Sequence, residues 1–306
     1  MLSIIIVDYN TLEETLEYIK RLEQNIIVAG CKHYIIVDNY IDRVESIKIL
    51  KQYLGNNEEI QLNKIGLVNR FIFSGSTVDY VFADSNLGYA KGNNLGVQVS
   101  IKLYKDDYVL ISNNDIEFNE RIDFSEVKKI FDDKKDVAII GPRIRGINGE
   151  EQSPHRKVSS CERLLVYYWS LAFSKRLYSD LDYNGTSKYC YWVMGCFLFV
   201  RMDSFLECGM FDENTFMYSE EMILSERLLK KEKKCFFVND ICIIHNHGVT
   251  VKKTTSILKS LRWSFESVYY YFKEYRMTPR ILLLISKINF NIYIILYKIK
   301  NSLKGK

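Results

Sequence analysis

The sequence predicts an open, mostly parallel α/β sheet with helices on both of its faces. A series of short apolar runs, rich in Val and Ile, is typical of strands that are buried on both faces. Helical patterns alternate with these runs, and that order of elements favours a parallel sheet. Of the 306 residues 47% are hydrophobic, which is enough for one large core.

The candidate strands are read from the apolar runs in chain order. They are Leu2–Val7, Tyr34–Val37, Val78–Phe82, Tyr108–Ile111, Val137–Ile140, Val193–Val200, Cys235–Val238 and Ile241–Ile244. The helical patterns between them cover Thr11–Val28, Tyr89–Leu103, Phe124–Asp133 and Met222–Lys231. We expect Asp123 and Asp203 to act as N-caps, because a short carboxylate side chain can accept from the free N–H groups of a helix start.

The C-terminal part of the chain differs in charge from the rest. Residues 251–306 contain 12 Lys or Arg and two Glu, a net charge of +10, whereas the first 250 residues carry −6. Two helices are predicted here, Ser256–Arg276 and Arg280–Lys300, separated by Pro279. The second has an apolar stretch that is short for a membrane span and contains Lys287, which favours a helix lying in a membrane interface.

The chain is therefore expected to consist of a domain at residues 1–250 and a basic helical extension at 251–306. Packing against a second subunit and nucleic-acid binding are the alternatives for the extension, and its long apolar stretch disfavours nucleic acid. The seven Cys are scattered and lack metal-site or disulfide spacing, so a reducing cytoplasm fits best. The first apolar run is too short for a signal peptide.

Polar residues follow four of the predicted strands at the point where each strand ends. They are Asp8 and Asn10, Asp38, Asn86, and the triplet Asn113, Asn114 and Asp115. Ligands of open α/β sheets bind beyond the carboxyl ends of the strands, so we expect a binding site there. Asp115 at a strand end could hold a hard divalent cation through its carboxylate oxygens.

A second group of candidate side chains lies in the later part of the chain. Glu220 and Glu221 begin a predicted helix, where they serve either as capping charges or as a general base that deprotonates a hydroxyl. His245 and His247 follow the last predicted strand, where they are either metal ligands or ordinary loop histidines.

Several short motifs occur together in one order over residues 1–250. They are SIIIVDYN at 3–10, VDN at 37–39, NLGYAKGNN at 86–94, NND at 113–115, GCFLFVR at 195–201, FDE at 211–213, YSEE at 218–221 and His245. This ordered set resembles the family 2 glycosyltransferases, especially the rhamnosyltransferase-like enzymes of bacterial capsule and O-antigen synthesis. The resemblance implies a GT-A fold, a nucleotide-sugar donor, Mg²⁺ or Mn²⁺, and inversion at the anomeric carbon.

The resemblance also assigns roles to residues of this chain. Asp38 would hold the base or ribose, Asp115 and His245 would hold the metal, and Glu221, with Glu220 beside it, would supply the catalytic base. The remaining nucleotide-sugar-binding candidates are Asp8, Asn10, Asn86, Gly88, Lys91, Asn94, Asn113 and Asn114. Gly195, Trp192 and His247 would line the acceptor side, together with an elaboration over residues 147–191. The acceptor would be a lipid-linked glycan at the inner face of the plasma membrane, and the chain could form a homodimer.

Two positions depart from the family pattern. Asn113 stands where the first Asp of a DxD motif is common, and Glu221 stands where Asp is common.

Three other classes of protein compete with this interpretation. A nicotinamide dehydrogenase is disfavoured because no G-x-G-x-x-G motif follows the first strand. A nucleotidylyltransferase would need a glycine-rich basic loop that is absent. A non-catalytic sugar-nucleotide-binding protein remains the alternative.

Overall fold

The computed structural model describes residues 1–39, 43–166, 179–246 and 256–304. Its strands, in chain order, are β1 (Leu2–Asp8), β2 (Ile26–Ile27), β3 (Lys32–Asp38), β4 (Glu58–Leu62), β5 (Gly66–Phe73), β6 (Ser76–Phe82), β7 (Tyr108–Ser112), β8 (Ile116–Phe118), β9 (Ile122–Asp123), β10 (Val137–Arg145), β11 (Lys188–Cys190), β12 (Phe197–Arg201) and β13 (Lys234–His245).

Eight α-helices and a short π-helix connect these strands within the described residues. The α-helices are α1 (Leu12–Asn25), α2 (Arg43–Leu54), α3 (Gly88–Leu103), α4 (Phe124–Asp133), α5 (Met202–Glu207), α6 (Glu220–Leu229), α7 (Ile257–Glu274) and α8 (Arg280–Lys304), and the π-helix is Glu162–Val166. Asp123 caps α4 as predicted, since its Oδ1 accepts from the Ser125 N–H. Asp203 lies inside the first turn of α5, whose N-cap is Arg201.

One open sheet of 11 strands organises the fold. Its order is β11-β13-β10-β12-β7-β1-β3-β6-β5-β4, and β8 pairs with β13. The centre, β7-β1-β3-β6, is parallel, so the carboxyl ends of these strands share one edge. β12 runs antiparallel between β7 and β10, and the β4–β5 hairpin closes the far edge. The predicted open α/β sheet is confirmed, and it is mixed.

Helices cover both faces of the sheet, as the alternating pattern predicted. On one face, apolar side chains of α1, α2 and α4 pack against the sheet. On the other face, those of α3, α5 and α6 do so. The central strands are buried on both sides: every residue of β3 is buried. Hydrophobic burial on both faces therefore fixes the position of the central strands. The polar residues that follow them lie together at the carboxyl ends of these strands.

The last strand is longer than the sequence indicated. Two short strands were predicted at Cys235–Val238 and Ile241–Ile244, and the structure joins them into β13. A register shift between Pro142 and Arg143 of the partner strand absorbs the irregularity at the junction. The continuous strand carries His245 to the edge where β7 ends, since His245 pairs with Ile116 of β8.

The two C-terminal helices pack differently. α7 buries Val268, Tyr271 and Phe272 against Met222 and Ile223 of α6, so it shares a hydrophobic cluster with the preceding fold. α8 packs one side on α7 and on the π-helix, where the Asn289 Nδ2 donates to the Leu165 carbonyl at 2.9 Å. The opposite side of α8 is exposed.

Candidate active site

The acidic pair follows a strained stretch of backbone. Tyr218 and Ser219 both have positive φ, 76° and 68°, which non-glycine residues rarely adopt. The Ser267 hydroxyl of α7 donates to the Met217 carbonyl at 2.8 Å, and the Phe216 carbonyl accepts from the Tyr89 N–H at 2.9 Å. Contacts from two helices thus hold the turn that starts α6 at Glu220.

Glu221 is fixed by the backbone of Gly195. The Gly195 N–H donates to the Glu221 Oε1 at 2.8 Å, and the Tyr89 hydroxyl donates to the Gly195 carbonyl at 2.6 Å. A Cβ at position 195 would lie 2.3 Å from the Glu221 Oε1, so only glycine permits this approach. Burial raises the pKa of Glu221, which makes its carboxylate a stronger base than an exposed one.

Glu220 occupies a more enclosed position than its neighbour. It is 2% exposed, and its Oε1 has no hydrogen-bond partner. Burial, and secondarily the adjacent Glu221 charge, raise its pKa well above the ordinary value. As a whole residue, Glu221 is less buried than Glu220.

Asp115 meets His245 at the end of β7. The Asp115 Oδ1 lies 3.4 Å from the His245 Nε2 and has no hydrogen-bond partner, although it is buried. The Asn246 N–H donates to the Asp115 carbonyl at 3.1 Å, which ties the end of β13 to the same place. A buried carboxylate oxygen without a donor is costly unless a cation approaches it.

The dipeptide Gly195–Cys196 joins the two carboxylate sites. The Cys196 carbonyl accepts from the Asn113 N–H at 2.9 Å, while Gly195 holds Glu221 as described. Burial, and then the negative charges of Asp115 and Glu221, raise the pKa of the Cys196 thiol, so this side chain stays neutral between them. The predicted metal residue and the predicted base thus flank one short segment.

A hydrogen-bond network fixes the first polar strand end. The Asp8 Oδ1 accepts from the Thr11 and Thr15 hydroxyls at 2.7 and 2.6 Å. The Asn114 Nδ2 donates to the same two hydroxyls, at 2.9 and 2.8 Å. Asp8 and Asn114 therefore brace the start of α1 against the end of β7, a role that the sequence did not reveal.

The neighbouring strand ends are held in a similar way. The Asp38 Oδ2 accepts from the Ser46 hydroxyl at 3.0 Å and from the Tyr80 hydroxyl. At the start of α3, the Asn86 Oδ1 accepts from the Gly88 N–H at 3.0 Å. A Cβ on Gly88, whose φ is +72°, would lie 2.1 Å from the Phe216 carbonyl.

The other candidates on and near α3 and β12 take several positions. The Asn94 amide bonds to both backbone groups of Phe211, which anchors the segment before the acidic pair. Lys91 is exposed on α3, and Asn10 is exposed with a φ of 57°. The Trp192 ring stacks on the His155 ring with centroids 3.6 Å apart. His247 lies outside the described residues.

An open groove leads to Asp115 along α1 and α2. It has a volume of about 690 Å³ and adjoins a smaller one of about 290 Å³ between Asp8, Asn10 and Asp38. Five carboxylates line the larger groove: Glu13, Glu14, Glu17, Asp115 and Glu117. Among the described residues that line it, Arg21 is the one cation. The sequence analysis missed Arg21, because its position on a helix carries no motif.

The site fits a divalent metal bound partly by substrate. Within the described residues no group of three or more His, Cys, Asp or Glu side chains forms a complete metal cage. Asp115 and His245 would supply two ligands to Mg²⁺ or Mn²⁺, and phosphate oxygens and water would supply the others. The acidic groove would repel a diphosphate that carries no metal. A cation at Asp115 would reduce this repulsion between the phosphates and the carboxylates.

Comparisons with known proteins give one relative by sequence and similar folds among solved structures. No protein-family model matches the chain. The low-salt glycan biosynthesis hexosyltransferase Agl10 of Haloferax volcanii is 24% identical over 279 residues, which cover 90% of the chain and 73% of Agl10.

Two crystal structures have a similar fold. That of GalNAc-T7 with UDP, GalNAc and Mn²⁺ gives a TM-score of 0.53 at 11% identity, over 80% of the chain. The chain spans 43% of the GalNAc-T7 chain. Residues 1–349 of S. aureus TarS give a TM-score of 0.51 at 12% identity, over 90% of the chain and 73% of the TarS fragment.

The fold is similar to that of the GT-A glycosyltransferases. In sequence, the chain is similar to a hexosyltransferase of glycan biosynthesis.

Proposed function

We propose that the chain is an inverting, metal-dependent glycosyltransferase of surface polysaccharide synthesis, of the rhamnosyltransferase-like branch. It moves a hexosyl or deoxyhexosyl group from a nucleotide-diphosphate sugar to a hydroxyl of a lipid-linked glycan. The observation that carries this proposal is the Gly195–Cys196 dipeptide, whose backbone holds Glu221 on one side and the Asn113–Asp115 turn on the other.

Each side of this dipeptide has a separate task in a direct displacement. Asp115 and His245 would hold Mg²⁺ or Mn²⁺, which when bound neutralises the charge of the departing nucleoside diphosphate. Glu221 accepts the proton of the acceptor hydroxyl as that oxygen attacks the anomeric carbon. One base on the acceptor side and one leaving-group site opposite it suffice for inversion.

The donor is expected to enter along the groove described above. Asp38 and Asn10 line its smaller part and suit the hydroxyl and amide groups of a nucleoside, whereas Asp115 lies in the larger part. GalNAc-T7, which has a similar fold, binds UDP and Mn²⁺. A uridine-diphosphate sugar with Mn²⁺ is therefore the first donor to test.

The exposed side of α8 supports a site of action at the inner face of the plasma membrane. The sequence analysis takes the apolar stretch of this helix as short for a membrane span, but residues 280–302 have the length and hydropathy of one, with a mean hydropathy of 1.5. An apolar stripe runs along the exposed side: Ile281, Leu284, Ile285, Ile288, Ile292, Ile295, Leu296 and Ile299. Because the opposite side packs on α7 and the π-helix, we propose that α8 lies in the membrane surface and does not cross it.

A non-catalytic sugar-nucleotide-binding protein is the second candidate. It would bind donor without turnover and would not need an ionisable base beside the acceptor. The raised pKa of Glu221 and its fixed contact with Gly195 favour the enzyme, because a pure binder gains nothing from a buried carboxylate.

A donor screen tests the proposed function. Purified chain is incubated with uridine-, thymidine- and guanosine-diphosphate sugars and Mn²⁺, and release of nucleoside diphosphate is measured with and without chelator. We expect metal-dependent release with one nucleotide class, and its loss in Asp115→Asn. Equal release in excess chelator, or an Asp115→Asn variant as active as the wild type, would refute the metal assignment. Binding of a donor without release under any condition would support the binding protein.

A further inference from the structure

Gln152 lies behind the candidate metal site, outside the motifs that the proposed function uses. Its Oε1 is 2.9 Å from the His245 Nδ1. A glutamine Oε1 can only accept a hydrogen bond, so the His245 Nδ1 carries the proton in this contact. In the neutral ring the lone pair is then on Nε2, the nitrogen that lies 3.4 Å from the Asp115 Oδ1.

This arrangement brings two electron-rich atoms together. The Asp115 Oδ1 accepts no hydrogen bond. With its proton on Nδ1, where Gln152 accepts it, the neutral His245 ring has no N–H on Nε2 to donate to Asp115. Such a pair is unfavourable alone and favourable once a cation lies between the two atoms. Metal-bound histidines commonly donate their second N–H to an oxygen, which sets both the tautomer and the ring orientation.

The backbone around Gln152 holds its side chain in place. The Gln152 N–H donates to the Ile144 carbonyl at 2.8 Å, and the Gln152 carbonyl accepts from the His155 Nε2 at 2.8 Å. The next residue, Ser153, is fully buried. Gln152 therefore contacts His245 from a segment already held by hydrogen bonds, which lowers the entropy cost of ordering it when a metal binds.

We propose that Gln152 is a positioning residue that selects the Nδ1-protonated tautomer of His245 and so prepares the Asp115–His245 pair for Mg²⁺ or Mn²⁺. The inference rests on the proposed metal-dependent function. A neutral amide suits this role, because it accepts the Nδ1 proton without adding a further negative charge to an already acidic groove.

The test uses two readouts on the full chain. ¹⁵N-imidazole NMR above pH 8 reports which nitrogen of His245 carries the proton, with the His245 signals assigned from a His245→Asn sample. Titration of Mn²⁺ in the presence of UDP, followed by electron paramagnetic resonance, reports affinity. The variants are Gln152→Leu, which removes the acceptor, and Gln152→Glu, which keeps one. Gln98→Leu on the exposed side of α3 is the matched control.

We expect the wild type to show the Nδ1-protonated tautomer. Gln152→Leu should lose it and bind Mn²⁺ about 10–100-fold more weakly, whereas Gln152→Glu and Gln98→Leu should retain the tautomer. An unchanged tautomer and Mn²⁺ affinity in Gln152→Leu, with Mn²⁺ bound by the wild type, would overturn this inference alone. A wild type that binds no Mn²⁺ with UDP would overturn the metal site of the proposed function and this inference with it.

Discussion

Two adjacent glutamates that look alike in the sequence occupy different environments. Glu220 is 2% exposed with an unpaired carboxylate oxygen, and its pKa is raised well above the ordinary value. Glu221 accepts from the Gly195 N–H and is half-buried. A proton acceptor must be reachable by the acceptor hydroxyl, so the difference in exposure favours Glu221 as the base.

Replacing Glu221 by Gln should therefore reduce turnover by about 10²–10⁴-fold and leave donor binding intact. Because burial raises the pKa of Glu221, the acid limb of the wild-type pH–rate profile should lie above the ordinary glutamate range. Turnover should fall as the pH drops through that raised pKa, since the protonated carboxyl cannot accept a proton, and Glu221→Gln should lack this limb.

Glu220→Gln is the matched control for this experiment. It conserves shape, removes a charge at the same helix start, and should reduce turnover less than Glu221→Gln. The measurements are steady-state kinetics against pH and calorimetric titration with donor. A larger loss in Glu220→Gln would show that Glu220 is the base.

At the scale of elements, α7 is joined to the acidic helix by both apolar and polar contacts. Tyr271, Tyr191 and Glu226 form a buried hydrogen-bonded group, and the Tyr271 hydroxyl also accepts from Arg276 at 2.8 Å. The sequence analysis placed a domain boundary at residue 250, before this helix. Because α7 packs on α6 and bonds to residues before 250, we expect residues 1–250 to need α7 for a stable fold.

Truncation after residue 250 should destabilise the fold severely, whereas truncation after residue 278 should destabilise it less. The shorter chain loses Val268, Tyr271 and Phe272, each at most 1% exposed, and their burial contributes roughly 5–9 kcal/mol. That is a large share of the roughly 5–15 kcal/mol by which a domain is stable. The measurement is urea unfolding of both chains, followed by circular dichroism.

The outcome distinguishes two views of the C-terminal region. A cooperative transition in both truncated chains, with similar midpoints, would mean that the fold is complete at residue 250. Loss of the transition in the shorter chain alone would show that α7 is part of the same folded unit as residues 1–250.

For the whole molecule, an acidic body is joined to a basic end with an exposed apolar stripe on α8. Lys287 and Lys298 lie on one flank of that stripe by helical periodicity. Each Lys or Arg near an anionic membrane contributes about 1 kcal/mol, and the buried apolar side chains add to this. We expect the chain to associate with anionic vesicles in a salt-sensitive way.

Vesicle sedimentation tests the membrane surface. Ile288→Glu with Ile292→Glu should abolish sedimentation, because both substitutions place charge in the exposed stripe. Val44→Glu with Ile72→Glu is the matched control, since these residues are 82% and 61% exposed elsewhere on the molecule. Unchanged vesicle binding in the stripe variant would contradict the membrane proposal. Loss of a dimer in light scattering would assign the stripe to a subunit interface.

The sequence by itself determined the open α/β sheet, its central strands and the residues at their ends. Burial on both faces leaves β1, β3, β6 and β7 as clear apolar runs, and strand ends collect polar side chains because ligands bind there. Arg43–Leu54 and the β4–β5 hairpin were not predicted, because their exposed faces weaken the apolar pattern on which such predictions depend.

Only the tertiary structure decided which of these polar residues share one site. β12 enters the sheet antiparallel beside β7, and this pairing brings Gly195, Glu221 and Asp115 together across about 100 residues of chain. The pairing of β8 with β13 likewise brings His245 to Asp115, and Gln152 reaches His245 from the opposite side. Contacts between distant segments depend on strand order and register, and a single sequence contains no local pattern that specifies either.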